Sequence, residues 1–138
     1  MARQSINTAE ARPLIAVVDD DQSVLNSVAR LLRSVGYAVA TFSTGPEFLG
    51  SIATSSPRCL VLDVQMPDMN GLELQTRLTD LGHQMPVVFI TANDSPQTRA
   101  IAIQSGVLDV FLKPFEEKAL LAAIGKAVEK FPIRPQDP

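Results

Sequence analysis

Short runs of wholly apolar residues that stop on a polar side chain constrain this chain most. Leu14-Ile15-Ala16-Val17-Val18 contains no polar residue and is followed at once by Asp19, Asp20 and Asp21. Cys59-Leu60-Val61-Leu62 ends on Asp63, and Val87-Val88-Phe89-Ile90 ends on Thr91. Runs this short suit strands better than buried helices. Strands apolar at every position belong to parallel sheets covered on both faces.

The segments between these runs have helical spacing. Val24, Leu25, Val28, Leu31, Leu32 and Val35 recur on one face, with Asp21 placed as the N-cap and Gly36 as the stop. Ala38-Val39-Ala40-Thr41-Phe42 reads as a second strand, and Thr44-Gly45-Pro46-Glu47 opens a helix reaching about residue 54. Asn70-Gly71-Leu72-Glu73 resembles a cap with an acid three residues on, starting a helix to about Leu81. Ser95-Pro96 opens another, closed by Gly106; Asp109-Val110-Phe111-Leu112 is a short strand, and a last helix runs from about Glu116 to Lys130. Strand and helix therefore alternate five times, which predicts an α/β fold with a five-stranded parallel sheet and five helices on its two faces.

A chain of 138 residues has room for one sizeable core. We expect a leader over residues 1–12, a folded domain over 13–130 and a proline-rich tail over 131–138. A formal net charge of −3 gives no electrostatic case for binding nucleic acid or an anionic membrane. No run is long enough to cross a bilayer, and the polar start is unlike a secretory signal, so a cytoplasmic setting is expected. Cys59 is the single cysteine and lies in an apolar run, where it reads as a small buried hydrophobe.

In an open α/β sheet, chemistry gathers outside the carboxyl ends of the strands. Asp19, Asp20, Asp63 and Thr91 all end strands there, and Lys113 follows directly on another. Any one of these strand ends is ordinary punctuation; four on one sheet edge are not. Crowded carboxylates repel one another and call for a cation. With oxygen ligands and no Cys/His cluster, that cation is Mg²⁺, with Mn²⁺ as the alternative. His83, the only histidine, sits in a polar loop and reads as a surface residue. Lys113 adds a positive charge that can pair with Asp63 and later with a phosphoryl group, and Thr91 offers a hydroxyl donor. This set suits phosphoryl transfer, which needs mainly positioning and charge neutralisation, with Asp63 as the nucleophile.

The segments Val17-Val18-Asp19-Asp20-Asp21, Leu62-Asp63-Val64-Gln65-Met66-Pro67-Asp68-Met69-Asn70-Gly71, Ile90-Thr91-Ala92 and Lys113-Pro114-Phe115 together resemble those of response-regulator receiver domains of two-component signalling. The resemblance spans about residues 13–130. It implies a flavodoxin-like three-layer sandwich in which Asp63 accepts phosphate from a histidine kinase or phosphotransfer protein. It implies that Asp20, Asp63 and the Gln65 backbone carbonyl hold Mg²⁺ directly, with Asp19 acting through water. Thr91 and Lys113 would contact the phosphoryl group, and Lys113-Pro114 would be a cis peptide. The output would be a downstream protein, a fused output domain or a homodimer. Its surface would be formed by the fourth helix, fifth strand and fifth helix, including Arg99, Gln104, Lys118 and Lys126.

One position departs from the family pattern: Val110 stands where receivers carry Tyr or Phe, three residues before the lysine. Alternation turns the adjacent Phe111 to the opposite face. Two other chemistries fit less well. An aspartyl phosphatase of the haloacid dehalogenase type needs a second Asp two residues after the nucleophile, and Gln65 stands there. A nucleotide or flavin binder needs a Gly-rich first turn, where this chain has Asp19-Asp20-Asp21-Gln22-Ser23 and would repel phosphate.

Overall fold

The computed structural model describes residues 12–67, 69–92 and 95–130. Five strands and five helices alternate through it: β1 (Leu14–Val18), α1 (Gln22–Ser34), β2 (Ala38–Phe42), α2 (Gly45–Ser51), β3 (Cys59–Asp63), α3 (Gly71–Asp80), β4 (Val87–Thr91), α4 (Pro96–Gln104), β5 (Asp109–Leu112) and α5 (Glu117–Lys130). All strand pairs are parallel, in the order β2-β1-β3-β4-β5. The alternation predicts a five-stranded parallel sheet with helices on both faces, and the strand order is that of the flavodoxin-like sandwich which the receiver-domain resemblance implies. The expected tail at 131–138, Asp68, and all of the expected leader except Arg12 lie outside the described residues.

Alternation along the strands divides the core in two. Ala16, Val18, Leu60, Leu62 and Phe89 point to one face, where Phe48 of α2 and Leu74 and Leu78 of α3 cover them. Ile15, Val17, Cys59, Val61, Val88 and Ile90 point to the other, under Leu25, Val28 and Leu32 of α1 and Leu120 and Ile124 of α5. The three central strands are apolar up to their carboxyl ends because each face has its own helical layer.

Four of the five helices start at a side-chain cap. Asp21, Thr44, Asn70 and Ser95 each accept a backbone N–H from the first turn of α1, α2, α3 and α4. In α3 the cap is reciprocal, with the Glu73 side chain accepting from the Asn70 N–H. The α2 helix ends at Ser51, short of the residue near 54 that its sequence suggests. The cause is local competition: Thr54 and Ser55 both donate side-chain hydroxyls to the Ser51 carbonyl, and the Thr54 N–H bonds there too, three residues back.

Val110 and Phe111 part as the period of two requires. Val110 is buried in the cluster containing Ala102, Val107 and Phe89, while Phe111 packs against the cluster on the other face.

Candidate functional site

Strand order reverses at β1, whose neighbours are β2 on one side and β3 on the other. The crevice beyond the carboxyl ends of β1 and β3 is therefore the topological switch point of the sheet. Asp63 is the last residue of β3 and is 3% exposed. Asp19 follows β1 directly and is fully buried, whereas Asp20 is exposed. Carboxylate oxygens of Asp19, Asp20 and Asp63 all lie within 4.8 Å of one another.

Asp19 and Asp63 are held in the same way. Asp19 Oδ1 accepts the Asp21 N–H at 2.8 Å, and Asp63 Oδ1 accepts the Gln65 N–H at 3.1 Å. Each carboxylate thus bonds the backbone two residues on, the short-range turn that Asp favours at the end of a strand. The Oδ2 atoms face Lys113, whose Nζ lies 2.8 Å from Asp19 and 3.5 Å from Asp63.

Lys113 is positioned by backbone. Its N–H donates to the Thr91 carbonyl at 2.8 Å, pinning the end of β5 beside the end of β4. The Lys113–Pro114 peptide is cis. Thr91 is the last residue of β4 and is fully buried. Asp63 pairs in register with Ile90, the residue before Thr91.

Burial, and then the neighbouring Asp19 charge, push the Asp63 carboxyl up to about 6. Burial opposes the charge on Lys113, but its bonds to Asp19 and the two carboxylate charges outweigh it and hold the ammonium above its ordinary range. Away from this edge, burial pushes the Cys59 thiol up to about 12, as for an inert core sulfur. His83 lies in the loop before β4, at the opposite edge of the sheet.

Two relationships at the site are not visible in the linear pattern. The first is the Asp19–Lys113 ion pair, shorter than the contact between Lys113 and Asp63. The second is Gly71. A Cβ there would stand 2.7 Å from the Asp63 carbonyl oxygen and 3.0 Å from Val64 Cα. The Gly71 N–H donates to the Val64 carbonyl at 2.8 Å. A glycine in the first turn of a helix, where most residues propagate better, is the sequence signal for such a close approach.

The donor set can be tested against a hard divalent cation. Three carboxylates converge, and no sulfur or imidazole ligand lies among them. Asp19 Oδ2 is buried and pairs with the Lys113 ammonium at 2.8 Å. Such a cluster fits Mg²⁺.

Comparison with known proteins agrees with this geometry. The family model described as response regulator receiver domain matches residues 15–125. This chain belongs to that family. The receiver domain is 40% identical over 132 residues to the response regulator protein TmoT of Ectopseudomonas mendocina, covering 96% of this chain and 59% of that protein. It is 41% identical over 119 residues to the response regulator protein TodT of Pseudomonas putida F1, covering 86% of this chain and 52% of that protein. A crystal structure of a response regulator receiver protein from Burkholderia phymatum superposes with a TM-score of 0.77 at 40% identity, over 86% of this chain and 96% of that one. The receiver domain thus spans between half and two thirds of the length of these curated relatives. Among its described residues no helix is long and apolar enough to cross a membrane.

Proposed function

We propose that this receiver domain takes a phosphoryl group onto Asp63 from a histidine kinase or a histidine phosphotransfer protein, with Mg²⁺ as cofactor and Mn²⁺ as the alternative ion. The observation that carries the reading is the convergence of Asp19, Asp20 and Asp63 within 4.8 Å at the switch point, with the Lys113 ammonium against two of them. Asp63 Oδ2 is the nucleophile: Oδ1 is engaged by the Gln65 N–H, which fixes the plane of the carboxylate. An O–P bond forms at Oδ2 as the N–P bond of the donor histidine breaks, and the electron pair stays with the imidazole.

Asp19, Asp20, Asp63 and the Gln65 backbone carbonyl would hold the metal, with Asp19 acting through water. When bound, that ion neutralises the crowded carboxylates and the incoming phosphoryl oxygens. Lys113 pairs with a phosphoryl oxygen once the group is transferred, and the Thr91 hydroxyl donates to another. Asp20 is exposed, so the acidic cluster is reachable from solvent. Gln65, two residues beyond Asp63, carries an amide and supplies no acid or base for turning over a separate substrate. The domain is therefore a phosphoacceptor and not a hydrolase of other molecules.

Output is read as phosphorylation-dependent binding of a downstream protein, a fused output domain or a second copy of the chain. A cytoplasmic setting goes with this reading. The surface assigned to the partner is formed by α4, β5 and α5. Gln104, Lys118 and Lys126 are exposed there, as are Ile101 (46%) and Leu112 (43%).

The test is incubation with Mg²⁺ and acetyl phosphate, followed by intact mass. One added phosphate is expected, lost on chelation or in Asp63→Asn. A label that persists in Asp63→Asn overturns the assignment.

A further inference from the structure

The α3 helix touches the site at one end and α4 further along. At its start, Gly71 rests against the Asp63 carbonyl and bonds Val64. One turn on, at the i+4 position, the Gln75 side-chain amide donates to the Ser105 carbonyl at 2.8 Å. Ser105 is the C-cap of α4. Between them Leu74 and Leu78 fix α3 to the sheet.

The far end of this linkage is an element with little hold on the core. The α4 helix buries a single side chain, Ala102, whereas α1 buries four, α5 three, and α3 two besides Gly71. The position that carries an aromatic in the family's pattern is Val110, packed inside the core. A β-branched residue so placed has no ring to turn between buried and exposed positions. The Gln75 contact is also incomplete: its Oε1 is buried and has no hydrogen-bond partner.

We infer that α3 is the lever that carries the state of Asp63 to α4, with Gly71 as its contact at the site and Gln75 as its contact at the C-cap of α4. The inference rests on the phosphoacceptor reading above. A shift of the β3 end on phosphorylation moves the α3 N-terminus through the Gly71 approach, and Gln75 transmits it to the Ser105 carbonyl. Gln75 is a positioning residue and touches neither metal nor phosphate.

The test follows hydrogen exchange of the α4 amides in the full chain, with and without acetyl phosphate and Mg²⁺, and intact mass in parallel. Wild type should gain phosphate and change its α4 exchange. Gln75→Ala and Gln75→Met, the second of similar length but without a donor, should still gain phosphate. Their α4 amides should exchange roughly fivefold faster at rest, the equivalent of one ordinary hydrogen bond, and cease to respond to phosphorylation. Variants that gain phosphate and keep the wild-type α4 response overturn the lever, as does a phosphorylated wild type whose α4 does not change. Failure of the wild type to gain phosphate overturns the phosphoacceptor reading itself, and the lever with it.

Discussion

Lys113 stands closer to Asp19 than to Asp63: its Nζ lies 2.8 Å from one Oδ2 and 3.5 Å from the other. A single ammonium thus offsets two carboxylates that are both almost fully buried. The lysine side chain is 19% exposed, so part of its charge remains solvated. In the metal-free protein this residue is the cation that makes burial of the pair tolerable.

Removing that cation should destabilise the domain more than losing a surface charge does. We expect Lys113→Met to cost on the order of 1–3 kcal/mol in chelator, below the range for a fully buried pair because Lys113 is partly solvated. Adding Asp63→Asn to it should recover part of the loss, since one uncompensated charge is removed. Urea denaturation of wild type, both single variants and the double variant checks this. Additive effects in the double variant would show that Lys113 and Asp63 are not coupled.

The pH dependence follows from the raised Asp63 carboxyl. Its folded value of about 6 lies above the ordinary 3.8, so the folded state binds the proton more tightly than the unfolded chain does. The stability it contributes is complete below the ordinary value and is lost as pH rises through about 6. Lys113 is held above its ordinary range and stays charged throughout this window, so it adds no slope. In chelator, Asp63→Asn should gain stability relative to wild type between pH 4.5 and 7.5, by on the order of 1–3 kcal/mol. Mg²⁺ should narrow the gap by binding the ionised wild-type site. Parallel pH profiles for the two proteins would contradict the shift.

Much of this fold is written in local pattern. The runs at β1, β3 and β4 are apolar at every position, so their parallel pairing and double covering follow from composition alone. Asp21, Asn70 and Ser95 mark helix starts because a short acceptor precedes an apolar-periodic segment, and each one caps its helix. The C-terminal limit of α2 was less legible. Thr54 and Ser55 act through side-chain bonds to a carbonyl that periodicity cannot see.

At the site, residue types and strand ends were legible, but distances were not. Sequence order associates Lys113 with Asp63, whereas the nearer carboxylate belongs to Asp19, which a different strand delivers. The Gly71 contact with the Asp63 carbonyl is likewise a meeting of two backbones, set by the angle at which α3 leaves β3.

That contact makes Gly71→Ala informative. The added methyl would stand 2.7 Å from a backbone oxygen, which cannot yield as a flexible side chain can. Either α3 or the end of β3 must shift. We expect a loss of about 1–3 kcal/mol by urea denaturation, the usual range for overpacking, although alanine is the better helix former. Mg²⁺ affinity should fall as well, measured by calorimetry, because the shift reaches Asp63. Gly50→Ala is the control, since its Cβ would meet nothing within 4 Å.

Val110 offers the converse experiment, restoring an aromatic where the family's pattern has one. Val110 is 5% exposed and shares its cluster with Ala102, Val107 and Phe89. A tyrosine ring there must displace these neighbours or swing out beside α4. Displacing them carries the overpacking cost of about 1–3 kcal/mol, and swinging out abandons the packing that Val110 makes. Both routes predict that Val110→Tyr is less stable than wild type in urea, with phosphate uptake from acetyl phosphate retained because the carboxylates are untouched. Proton chemical shifts distinguish the routes, since a ring inside the cluster shifts the Ala102 methyl and an outward ring does not. An unchanged melting curve would mean that α4 already yields enough to admit the ring.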